Sequence, residues 1–114
     1  MPFTTNSISV KDFLSLIKNG NKHLIIDVRT PAETQSEYLE GSAYIPLQDL
    51  SPSSFNALLE TNAHDVKAPV YFLCGTGLRA KKATSLLAPS SENQLVIVEG
   101  GLAEMKKSGI PLEQ

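Results

Sequence analysis

The single cysteine of this 114-residue chain, Cys74, is followed by a short glycine-bearing loop. Residues 74–79 have the sequence Cys-Gly-Thr-Gly-Leu-Arg, and a helical pattern begins at about Arg79. Gly75 and Gly77 let the backbone turn tightly and leave the loop amides open to a ligand. If the amides of residues 75–79 converge above the sulfur, they form an anion-binding nest beside a helix N-terminus. Such a nest favours the thiolate, which is the nucleophilic form of cysteine.

The segment that must position Cys74 is the apolar run that precedes it. Residues 70–73 are Val-Tyr-Phe-Leu, and Pro69 immediately precedes them. A short apolar run without alternation is typical of a strand that is buried on both faces, as in a parallel sheet. Cys74 is therefore expected at the C-terminal end of such a strand, where open α/β sheets bind their ligands.

Further strand and helix signals alternate along the chain. The other predicted strands are residues 3–8, 24–28, 43–45 and 95–98, and the predicted helices begin near Ser9, Pro31, Pro52, Arg79 and Leu102. The helix at Pro31 is expected to run to about Tyr38 or Leu39. Because tight hairpin signals are absent, the strands are predicted to be parallel. The fold class is therefore α/β, with residues 1–114 as a single domain, a mainly parallel sheet of about five strands, and helices on both faces.

Composition and charge exclude several classes of function. A net charge of −2 gives no electrostatic reason to bind nucleic acid or an anionic membrane, and the apolar runs are too short to span a bilayer. One cysteine permits neither an intrachain disulfide nor dithiol exchange. Cys74, His23 and His64 lie in unrelated contexts and do not form a zinc site, so no metal and no cofactor are expected. The N-terminus lacks a secretory signal, and the expected location is the cytoplasm.

Four stretches together resemble the rhodanese-like sulfurtransferase family, in the single-domain form. Residues 27–33 are similar to its Asp-Val-Arg segment with a downstream acid, and residues 41–46 to its Gly-Ala-x-x-Ile-Pro element. Residues 74–79 match its Cys-x-x-Gly-x-Arg active-site loop, and residues 100–111 match its closing Gly-Gly and Gly-Ile-Pro signature. Tyr38 and Met105 depart from the histidine and tryptophan that members often carry, and both are expected to be packing positions.

This resemblance implies a thiosulfate sulfurtransferase of the rhodanese type that needs no cofactor. The thiolate of Cys74 would take sulfane sulfur from a small-molecule donor such as thiosulfate and hold it as a persulfide. A thiophilic acceptor, which is cyanide, a thiol or a sulfur-accepting protein, would then remove the sulfur. The substrate-binding residues would be Gly75, Thr76, Gly77, Leu78, Arg79 and Arg29.

Several alternatives remain open from the sequence. Arg79 either faces an anionic donor or pairs with an acid and attaches the loop to its helix. Arg29 is a candidate for substrate binding. The competing interpretation is a structural pair with Asp27, with Glu33 as an optional third member. The alternative function is a non-catalytic protein-binding module or a persulfide carrier. A cysteine phosphatase or arsenate reductase is disfavoured because four residues separate Cys74 from Arg79, and those enzymes have five.

Overall fold

A five-stranded sheet organises the computed structural model, which describes residues 5–18, 23–65, 68–109 and 112–113. Its strands are β1 (Thr5–Ile8), β2 (Leu24–Asp27), β3 (Ala43–Tyr44), β4 (Val70–Leu73) and β5 (Leu95–Val98). The spatial order is β1-β5-β4-β2-β3, and each pair of neighbouring strands is parallel. The predicted parallel α/β sheet is therefore confirmed. Residues 3 and 4 of the predicted first strand lie outside the described residues.

Strand β4 lies at the centre of the sheet. It pairs with β2 on one side and with β5 on the other, and all four of its residues are buried. Val70 and Phe72 belong to one core cluster, whereas Tyr71 and Leu73 belong to the second. Both faces of this strand are covered, which explains why its sequence is uniformly apolar.

Helices cover the two faces of the sheet, as predicted. Their bounds are α1 (Val10–Lys18), α2 (Pro31–Ser36), α3 (Pro52–Thr61), α4 (Leu78–Leu87) and α5 (Gly101–Lys107), and a 3₁₀ turn spans Leu47–Asp49. Phe55 of α3 and Leu87 of α4 lie in the cluster on one face. Phe13 of α1 and Met105 of α5 lie in the cluster on the other, so Met105 is a packing position, as expected. No helix in the described part of the chain is long and apolar enough to cross a bilayer.

Helix α2 begins where the sequence predicts and ends earlier. Thr30 and Glu33 form a reciprocal capping box, with proline at the start of the helix. The helix ends at Ser36 because Glu37 is extended, with φ −160° and ψ 152°. The backbone of Tyr38 then bonds with Glu113, at N–O distances of 2.9 and 2.8 Å. These contacts with the distant C-terminal segment replace the last predicted turn.

The chain reverses its direction across the sheet between β2 and β4. From β2 it proceeds to β3 at one edge, whereas from β4 it proceeds to β5 on the opposite side. In open α/β sheets a crevice forms at the carboxyl ends of the strands at such a switch point. The loops that follow β2 and β4 therefore meet at the same place, and Cys74 begins the second of them.

Candidate active site

Cys74 lies directly after β4, and its side chain receives a backbone hydrogen bond. The residue is fully buried, and the Gly77 N–H donates to Sγ at an N–S distance of 2.9 Å. Gly77 has φ +101°, a conformation that L side chains rarely adopt, and it precedes the first turn of α4. Of the five loop amides predicted to converge on the sulfur, this one makes the contact within the described residues.

The N-terminus of α5 holds the carbonyl groups of the cysteine loop. The Leu102 N–H donates to the Cys74 carbonyl and the Ala103 N–H to the Gly75 carbonyl, both at 2.9 Å. Gly101 permits this approach, because a Cβ there would lie 2.0 Å from the Cys74 carbonyl oxygen. The two carbonyl oxygens thus accept hydrogen bonds from helix amides that have no partner within their own helix.

Arg79 is paired with Glu33 across the switch point. Its Nη1 donates to Oε1 at 2.5 Å and its Nη2 to Oε2 at 2.9 Å, a forked arrangement between side chains that are 32% and 38% exposed. The hydrogen bond from Arg79 is the largest cause that lowers the pKa of Glu33, from 4.5 to about 2. The hydrogen bond to Glu33 likewise raises the pKa of Arg79. Of the two roles considered for Arg79, the structure contains the pairing with an acid.

Arg29 forms a second ion pair, which is buried. Its Nε donates to both oxygens of Asp27 at 3.0 and 3.1 Å, and its Nη2 donates to Oδ2 at 2.9 Å. The same Nη2 donates to the Glu37 carbonyl at 2.8 Å, so Arg29 ties the end of β2 to the residue after α2. Asp27 is 0% exposed and Arg29 4%. These contacts favour the structural role for Arg29.

A shallow depression of about 360 Å³ lies above the cysteine loop. Gly75, Thr76, Arg79 and Arg29 line it together with residues of α2 and α5, whereas the Leu78 side chain is 64% exposed to solvent. Lys106 and Glu37 form an ion pair among the lining residues. The described lining of the depression does not include Cys74, which lies in the core beneath it.

A larger cavity of about 930 Å³ lies at the opposite end of the sheet. Leu24 and Ala68, at the amino-terminal ends of β2 and β4, contribute to its lining. Among the described residues, the buried His23 Nε2 and Ser42 Oγ beside it have no hydrogen-bond partner. The larger of the two cavities is therefore not the one beside the candidate nucleophile, because the cysteine loop lies at the other end of the strands.

Metal binding would require several ligands in one place. Across residues 5–18, 23–65, 68–109 and 112–113, no three His, Cys, Asp or Glu side chains come together in a way that would hold a metal ion.

Glu33 is the site residue whose contact with Arg79 the sequence did not predict. The sequence identified it as a helix-capping residue and as a possible third member of the Asp27–Arg29 pair. Its strongest partner, Arg79, is 46 residues away along the chain. The available signal was the position of both residues shortly after strands that flank the switch point, which brings their loops together.

Known proteins resemble this chain in sequence. A family model described as a rhodanese-like domain matches residues 9–108. The mouse protein named adenylyltransferase and sulfurtransferase MOCS3 is 30% identical over 90 residues, which are 70% of this chain and 20% of that protein. The chain thus spans about a fifth of the length of this relative.

Solved structures resemble the fold over most of the chain. Thiosulfate sulfurtransferase from Pseudomonas aeruginosa superposes with a TM-score of 0.81 at 23% identity, covering 96% of this chain and 20% of that one. The human single-domain sulfurtransferase TSTD1 has a TM-score of 0.65 at 22% identity, covering 91% of this chain and 97% of that one. At these identities the similarity concerns the fold.

Proposed function

The chain belongs to the rhodanese-like domain family, and on that premise we propose that it is a sulfurtransferase that carries sulfane sulfur on Cys74. The donor is thiosulfate or a related anion, and the acceptor is a thiophile such as cyanide, a thiol or a protein. The observation that carries the proposal is the hydrogen bond from the Gly77 N–H to the Cys74 Sγ at the end of the central strand.

In the first step, the Cys74 thiolate attacks the outer sulfur of thiosulfate. A bond forms between Sγ and that sulfur, the S–S bond of the donor breaks, and sulfite leaves with the electron pair. The product is a persulfide anion on Cys74. No proton has to move, so this step needs no general base, and the Gly77 N–H donates to the sulfur that carries the negative charge of the reactant.

In the second step, the acceptor attacks the outer sulfur of the persulfide. With cyanide, a carbon–sulfur bond forms, the persulfide S–S bond breaks, and thiocyanate leaves while Cys74 returns as a thiolate. Two successive half-reactions at one sulfur atom predict ping-pong kinetics. The α5 amides bonded to the Cys74 and Gly75 carbonyls support this cycle. They hold the two carbonyl oxygens, which carry partial negative charge, in hydrogen bonds directed away from the anionic sulfur.

The phosphatase alternative is disfavoured by loop length. An oxyanion-binding loop must reach all the equatorial oxygens of the bound anion. Here four residues separate Cys74 from Arg79, whereas the phosphatase loops have five.

The test is the intact mass of the protein before and after thiosulfate, followed by cyanide. The proposal predicts a gain of one sulfur atom that cyanide removes and that Cys74→Ser does not acquire. If neither thiosulfate, 3-mercaptopyruvate nor polysulfide adds sulfur to the wild-type protein, the proposal fails. The non-catalytic binding module is then the better interpretation.

A further inference from the structure

The sulfur of Cys74 is buried, although the proposed function requires it to react. Cys74 is 0% exposed, and the depression above the loop is lined by Gly75, Arg79 and Glu33 rather than by the cysteine. A donor that enters this depression from solvent therefore meets the Arg79–Glu33 pair before it meets Sγ.

The pair lies directly against the loop that carries Cys74. A Cβ on Gly75 would be 3.3 Å from Arg79 Nη2 and 3.9 Å from Glu33 Oε2, so both charged groups lie over this glycine. Gly75 directly follows Cys74, so the pair covers the first loop residue after the cysteine.

The carboxylate of Glu33 resembles the anionic end of a sulfur donor in its shape and charge. Two oxygens of Glu33 meet two nitrogens of Arg79 in a fork. A sulfonate group, as in thiosulfate, presents two oxygens of similar spacing and carries negative charge, and guanidinium groups bind such oxyanions in the same forked geometry. Glu33 and the sulfur donor would therefore compete for the same N–H groups of Arg79.

We propose that Glu33 is an internal competitor of the anionic sulfur donor. Its carboxylate occupies Arg79 in the free protein, the donor's oxyanion group replaces it, and this exchange opens the way to Cys74. Glu33 is in this sense a positioning residue that sets the affinity for anionic donors. This inference rests on the proposed function, and it names the residue pair that selects the donor.

Releasing Glu33 from Arg79 leaves the carboxylate with other partners. Its Oε1 also accepts from the Thr30 N–H at 3.2 Å and from the Thr30 hydroxyl at 3.0 Å. Glu33 lies in the first turn of α2, where helix amides favour negative charge. None of the six residues of α2, all of which the structure describes, is buried, so a small shift of this helix disturbs little packing.

The test measures how fast Cys74 is alkylated by iodoacetate, an anion, and by iodoacetamide, its neutral analogue. The ratio of the two rates reports how well the site admits an anion, and it requires no sulfur transfer. In Glu33→Gln the ratio should rise roughly fivefold, the most that displacing one partly exposed ion pair can account for. Glutamine is an accepted partner in a capping box, so this variant keeps the start of α2.

Two further variants separate competition at Arg79 from a general loss of negative charge. Glu37→Gln removes a charge from the same depression, but Glu37 pairs with Lys106 and not with Arg79, so its ratio should change at most about twofold. In the double variant Glu33→Gln with Arg79→Met, the rise in the alkylation ratio caused by Glu33→Gln should disappear, because the guanidinium for which Glu33 and the anion compete is then absent.

Steady-state kinetics give a second measurement. Glu33→Gln should lower KM for thiosulfate with little change in kcat, a split that a purely structural role of Glu33 would not produce. The inference is overturned if the alkylation ratio of Glu33→Gln equals that of the wild type, or if Glu37→Gln raises it equally. An altered ratio without persulfide formation would refute the sulfurtransferase and leave the competition intact. Persulfide formation with an unaltered ratio would support the sulfurtransferase and refute the competition at Arg79.

Discussion

Gly101 lies so close to Cys74 that a methyl group on its α-carbon would be 2.0 Å from the Cys74 carbonyl oxygen. This contact joins the first residue of α5 to the first residue of the cysteine loop, and the Leu102 N–H bonds to the same carbonyl at 2.9 Å. The shape of the loop therefore depends on a helix that begins 27 residues after Cys74 in the sequence.

Replacing Gly101 with alanine should lower the free energy of unfolding strongly. The methyl group would overlap the carbonyl, and φ at this residue is +54°, so we expect a loss of about 3 kcal/mol or more from overpacking and backbone strain together. Gly41→Ala is the matched control, because Gly41 has φ +89° with nothing within 4 Å of an added Cβ. That control should lose about 1–2 kcal/mol in urea unfolding. Equal losses in the two variants would contradict the close contact.

Replacing Cys74 with serine should abolish thiocyanate production from thiosulfate and cyanide while the protein still folds. The oxygen is a poor nucleophile towards sulfur, but it can accept the hydrogen bond that the Gly77 N–H gives to Sγ. Because the site is buried, we expect a loss of stability of about 1–2 kcal/mol. Circular dichroism and thermal melting check the fold, and a wild-type rate in the folded variant would refute the role of Cys74.

The buried pair of Asp27 and Arg29 should be costly to break. Asp27→Asn and Arg29→Met each leave an uncompensated buried group, and each should lose about 3–5 kcal/mol in urea unfolding. The double variant should lose less than the sum of the two, because the partners are removed together. Lys106→Met, which breaks the partly exposed pair with Glu37, is the comparison and should lose about 1 kcal/mol or less. Additive losses at Asp27 and Arg29 would contradict their pairing.

The contribution of Glu33 to stability should fade in acid. The ordinary pKa of a glutamate side chain is 4.5. In the folded protein the pKa of Glu33 is lowered to about 2, chiefly because Arg79 donates to its carboxylate. A lowered pKa stabilises the fold fully above the unfolded value, and this stabilisation is lost as pH falls from about 4.5 towards 2. The difference in urea stability between wild type and Glu33→Gln should be about 1 kcal/mol or less at neutral pH and should shrink below about pH 4.5. A difference that grows as the pH is lowered would be inconsistent with the ion pair.

The sequence by itself determined the fold class, the buried strand at residues 70–73 and the cysteine loop. These features depend on short-range rules. The uniform apolar run at residues 70–73 indicates a strand covered on both faces, and Thr30, Pro31 and Glu33 mark the start of a helix by their own spacing. Five predicted strands and the order of their helices then leave few arrangements other than a parallel sheet.

Only the tertiary structure decided the partner of Arg79, the burial of Cys74 and the end of α2. Arg79 and Glu33 meet because β2 and β4 are neighbours in register, which brings together loops whose residues are 46 positions apart. Helix α2 ends early because the backbone of Tyr38 bonds with Glu113. Such contacts arise from strand order and packing between distant segments, and no local pattern in the sequence encodes them.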